Sequence, residues 1–92
     1  MPQLYRIGEF RIYFWMNEGE PLEPIHVHVS KGTPSGNSTK IWITESGNCV
    51  LQNNNSKIPM HQLNDLMRII ESLSDDIAEK WIACFGEISY YC

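Results

Sequence analysis

Three shortages bound this 92-residue chain before any pattern is read. It has no apolar run approaching the roughly 20 residues that cross a bilayer, which excludes a membrane-spanning helix. Its cysteines, Cys49, Cys84 and Cys92, are odd in number, widely separated and free of any Cys-x-x-Cys pair. Neither a zinc ribbon nor a redox dithiol is indicated, and a reduced, intracellular protein is the expectation. Basic side chains are also scarce: seven Lys and Arg against eleven Asp and Glu give a net charge of −4. Long-range attraction to nucleic acid or an anionic membrane is therefore not favoured for the chain as a whole. The balance is uneven, with four basic and five acidic residues in 1–45 against three and six in 46–92, which leaves a local basic face in the first half open. Met1 to Arg6 begin neither a signal core nor a transit helix, and cytoplasmic residence is expected. The length suits a single domain, 1–92.

What is present divides the chain into an extended half and a helical half. Phe10 to Trp15 is aromatic and β-branched and predicts a strand over 10–15. An acidic loop carrying Glu18, Glu20 and Glu23 leads to Pro24, which restricts its neighbour and launches a strand over 26–31. Gly32 to Ser38 is a polar hairpin tip without the lysine and helix of a nucleotide P-loop. Strict alternation over Lys40-Ile41-Trp42-Ile43-Thr44 predicts a third strand (39–44), and 49–52 a short fourth. From Pro59 the period changes. Met60, Leu63, Leu66, Met67, Ile70 and Leu73 form a helical stripe over 59–73. A second helix over 75–85 is expected, capped by Ser74, with Asp75 and Asp76 at its positive end and Ile77, Trp81, Cys84 and Phe85 as its apolar stripe. Residues 87–92 form a tail whose Ile88, Tyr90 and Tyr91 pack on the sheet or on a partner. The fold class that buries each stripe once is α+β: a mainly antiparallel sheet of three to four strands, followed by two helices packed on one face.

Strand phase then sorts the side chains. Phe10, Ile12, Phe14, Val27, Val29, Ile41 and Ile43 fall on the helix side. Arg11, Tyr13, Trp15, His26, His28, Ser30, Lys40, Trp42 and Thr44 fall on the other, a face with cations, histidines and large aromatics but no carboxylate. Its centre is Ile25-His26-Val27-His28-Val29, where a period of two places both histidines together. Arg11, Tyr13, Trp15, His26, His28, Lys40 and Trp42 are the candidate ligand-binding residues, suited to stacking a base or holding a phosphate-bearing group.

Competing readings remain open for the same residues. Tyr, Trp and Thr are good strand formers, so the aromatic face can serve sheet stability or a homodimer alone. A one-residue slip would exchange the faces locally. His26 and His28 can act as general acid and base in metal-independent RNA cleavage, with Arg11 or Lys40 stabilising phosphate charge. They can supply two ligands to zinc or another transition metal, although His61, Glu45 and Cys49 offer no third donor of diagnostic spacing. They can instead bond backbone or nearby Tyr and Glu groups and hold the proline-led loop. No cofactor is required by the leading reading.

Met1-Pro2, Arg6-Ile7-Gly8, the aromatic strand, the acidic loop into Pro24-Ile25-His26-Val27-His28-Val29, and Asp76-Ile77-Ala78-Glu79-Lys80-Trp81 followed by Phe85-Gly86 resemble the small bacterial domain-of-unknown-function family 4160 over nearly the whole chain. The family's loop commonly carries an extra histidine and runs to Pro-Pro-His-Val-His-Val; here Asn17 to Glu20 lacks that histidine and Ile25 takes the second proline position. A metal site using the loop histidine is correspondingly disfavoured. The resemblance implies a tiny single-domain protein of bacteria, phages or mobile elements, encoded beside another small protein. It is similar in context to a toxin-antitoxin or phage-defence module, and implies a partner protein or a nucleotide or RNA ligand rather than a metabolic substrate.

Overall fold

The computed structural model describes residues 3–15, 22–33 and 38–92. Residues 34–37 of the expected tip (32–38), and residues 16–21 with Glu18 and Glu20 of the acidic loop, lie outside the described residues. Five antiparallel strands follow one another across the sheet in chain order: β1 (Gln3–Ile7), β2 (Phe10–Tyr13), β3 (His26–Lys31), β4 (Thr39–Ile43) and β5 (Cys49–Asn53). Two helices complete the α+β fold, α1 (Met60–Ser72) and α2 (Ser74–Phe85).

The sheet thus has five strands where the sequence predicts three to four, and the added one is β1. Its period is broken: the register shifts between Gln3 and Tyr5, so Leu4 and Tyr5 both pack toward the core. A bulge of this kind erases the alternation that marks a strand. The signal that survives is Gly8, whose φ of 59° suits the two-residue turn joining Ile7 to Phe10.

Register confirms the expected phase. Ile12 opposes Val29 and Val27 opposes Ile41, and these side chains join Phe10, Phe14, Ile25 and Ile43 in one buried cluster. Leu63, Leu66 and Ile70 of α1 and Ile77 and Trp81 of α2 close it from the other side. Trp81 is fully buried, its ring centroid 5.0 Å from that of Phe14 and 4.5 Å from that of Phe85.

Two members of the expected helical stripes face solvent. Met60 is 60% exposed because it sits at the first residue of α1, before the turn that meets the sheet. Cys84 is exposed because Trp81 and Phe85, four apart, already fill the inward side of α2. Ser74 is not a capping residue either: it is the first residue of α2 and makes no side-chain cap bond. Gly86, with φ 76°, ends the helix, and its N–H donates to the Ile82 carbonyl at 2.7 Å.

The tail returns along the sheet's end. Ile25 N–H donates to the Ser89 carbonyl (2.9 Å) and Glu45 N–H to the Cys92 carbonyl (3.1 Å). Ile88 and Tyr90 pack against the core, while Tyr91 lies flat on Trp42 of the opposite face, centroids 5.0 Å apart and planes within 5°.

Candidate functional site

β3 positions both histidines through its pairing on either side. His28 opposes Tyr13 on β2 and Lys40 on β4, and His26 opposes Trp42. The rings form a continuous chain across the outer face of the sheet. Trp15 meets Tyr13 edge-on at 5.4 Å, Tyr13 stacks on His28 at 5.6 Å and 26°, and His28 meets His26 at 5.0 Å. His26 continues to Trp42 at 5.5 Å, and Trp42 to Tyr91. Trp15 also approaches His28, at 6.5 Å. Six of the seven sequence candidates therefore touch through this chain, since Lys40 Nζ stands 4.5 Å over the Trp42 ring. Arg11 stands apart, in the next cross-strand row.

The face is not the bare platform that alternation suggests. Tyr13 and His26 are 0% exposed and Trp42 7%, whereas Trp15, His28 and Lys40 are half-buried. His26 is wedged at the sheet's end, where its ring also lies 5.4 Å from that of Trp81 on α2. Its Nδ1 sits 2.9 Å from the Pro24 carbonyl, to which it must donate, so neutral His26 carries its proton on Nδ1. This bond ties the proline-led segment to the strand that it launches.

A carboxylate does reach the face, contrary to the sequence expectation. Glu23 comes from the loop before Pro24 and accepts from Lys40 Nζ at 2.7 Å. A period-two argument assigns faces only inside strands, and Glu23 lies outside one. Trp42 is fixed in turn by its indole N–H, which donates to Gln52 Oε1 at 2.7 Å. Thr44, also expected on this face, is taken up by the following turn, where its hydroxyl lies 2.9 Å from Ser46 Oγ and accepts from Asn48 N–H.

The remaining candidates are dispersed. Among the described residues no three His, Cys, Asp or Glu groups converge as a metal would require. His61 is exposed on α1. Glu45 is exposed after β4, and Cys49 is half-buried on β5 with its Sγ 3.4 Å from the Met67 carbonyl. Burial, helped by the Glu71 charge, pushes the Cys49 thiol up to about 12, so it is neither thiolate ligand nor nucleophile at neutral pH. Asp76 accepts from Lys80 Nζ at 2.6 Å and from the Tyr5 hydroxyl, tying α2 to β1.

Sequence reasoning missed Arg6. It pairs directly with Arg11, which pairs with Ser30, so Arg6, Arg11 and Ser30 form one row beside the Tyr13–His28–Lys40 row. Arg6 was legible only once β1 was recognised as a strand.

The family described as "Domain of unknown function (DUF4160)" matches residues 9–82. The chain belongs to that family. The matched segment contains β2 to β5, both helices up to Ile82, and every sequence-predicted site residue; Arg6 and the tail fall outside it. No curated protein and no solved structure matches the chain. Among the described residues no helix is long and apolar enough to cross a membrane.

Proposed function

We propose that this DUF4160 protein is an interaction or ligand-binding module whose outer sheet face receives a nucleotide-like ligand. The observation that carries the reading is the half-buried trio Trp15, His28 and Lys40, set around the buried rings of Tyr13, His26 and Trp42. Rings give a base a surface to stack on, and Lys40, held near Glu23, gives charge complementarity at the rim. Buried rings beside them hold the half-buried ones in place, which lowers the ordering cost of binding. The family resemblance supports a setting in a bacterial or phage conflict system, with a partner protein encoded nearby.

Tryptophan fluorescence during titration with 5′-AMP, GMP, CMP and UMP tests the reading, because Trp15 and Trp42 both belong to the face. His28→Ala is expected to weaken binding roughly tenfold, the worth of one stacking contact. An unchanged Kd at an unchanged thermal midpoint would remove the face from binding. Loss of RNA cleavage in the same variant, if the wild-type protein cleaves RNA, would replace a binding module by a ribonuclease using His28.

A further inference from the structure

The row next to the histidines contains an arrangement that no ion pair among the described residues explains. Arg6 and Arg11 are direct partners across β1 and β2, so their side chains leave the same face of the sheet. Like charges placed opposite one another oppose strand pairing. Neither guanidinium has a carboxylate within ion-pair distance among the described residues. The nearest acid in sequence, Glu9, is engaged by Lys31 at 3.3 Å. In a chain of net charge −4, carboxylates are the commoner side chains, which makes an arginine pair with no ion-pair partner among the described residues the more telling.

A hydroxyl continues the row. Ser30 opposes Arg11 and is 4% exposed, its Oγ directed to the Gly32 carbonyl at 3.4 Å. Arg6 Nε is directed to the Gly8 carbonyl at 3.4 Å, which leaves its terminal nitrogens for other acceptors.

We infer that Arg6 and Arg11 form a phosphate subsite at the β1–β2 hairpin end of the outer face. The ligand class is a phosphate monoester, whose dianion neutralises both guanidinium groups and accepts from their planar forks. The subsite rests on the reading of this face as a nucleotide-binding surface and gives it its anionic end. Two residues along a strand separate Arg11 from Tyr13, about 7 Å. A single nucleotide therefore reaches from the arginine row toward the ring row.

Calorimetric titration of the full chain with inorganic phosphate, 5′-AMP and adenosine, at matched ionic strength, separates the two claims. Arg6→Gln and Arg11→Gln are expected to weaken AMP and phosphate at least roughly tenfold each, the loss of a charge-assisted bond, and to leave adenosine within about twofold. Phosphate should also raise the thermal midpoint of the wild-type protein and of His28→Ala, but not of either arginine variant. Equal AMP affinity in wild type and both arginine variants overturns the subsite while leaving the face intact if His28→Ala still weakens AMP. AMP binding that is insensitive to His28→Ala yet lost in the arginine variants keeps the subsite and removes the ring reading. No binding of phosphate or AMP to the wild-type chain overturns the subsite outright.

Discussion

His26 and His28 differ more than their spacing suggests. His26 is fully enclosed between Trp42, His28 and Trp81 and donates to the Pro24 carbonyl, so it organises the lead into β3. His28 is half-buried at the centre of the ring chain. Substituting His26 by alanine leaves a cavity and a carbonyl without its donor, a loss of about 1–3 kcal/mol in urea unfolding; His28→Ala is expected to cost less. A variant lacking both side chains would confound stability with function, and His28→Ala alone is the informative one. The thiols provide a second prediction at this scale. At pH 8 Cys84 and Cys92, both exposed, should react with a disulfide reagent, and Cys49 should lag far behind because burial pushes its thiol up to about 12. Prompt reaction of all three would contradict its placement against α1.

At the scale of elements, the edge strand and the tail are held by few interactions of identifiable chemistry. The Lys80 ammonium and the Tyr5 hydroxyl, both bonded to Asp76, hold its carboxyl below the ordinary carboxylate range. A folded value below the unfolded one stabilises the protein above about pH 4, and that contribution is lost as pH falls through the folded value. Asp76→Asn should therefore flatten the acid limb of a stability profile measured between pH 6 and 2, and an unchanged limb would contradict the tie between α2 and β1. Removing residues 87–92 breaks the Ile25–Ser89 and Glu45–Cys92 hydrogen bonds and exposes the core under Ile88 and Tyr90. The expected loss is roughly 3 kcal/mol, read as a lower urea midpoint. Regular periods made β2, β3, β4, β5 and both helices legible in the sequence. The bulge hid β1, and with it Arg6, because two successive side chains there face inward.

The whole molecule is a five-stranded meander with one face closed by two helices and the other laid with rings and cations. Which residues share that outer face followed from strand phase, since register within a strand is a local property. How Trp42 and Lys40 are covered did not follow, because Tyr91 and Glu23 reach them from outside any strand. The asymmetry between faces is the basis of the functional reading: one is spent on the core, and the other holds aromatic, imidazole and guanidinium groups in two adjacent rows. Backbone and side-chain nitrogen shifts followed by NMR during titration with 5′-AMP, GMP, CMP and UMP test this most directly. The account predicts that the largest changes fall on Arg6, Arg11, Trp15, His28 and Lys40, with α1 and α2 unmoved. Changes centred on the helices, or none with any of the four nucleotides at millimolar concentration, would contradict it.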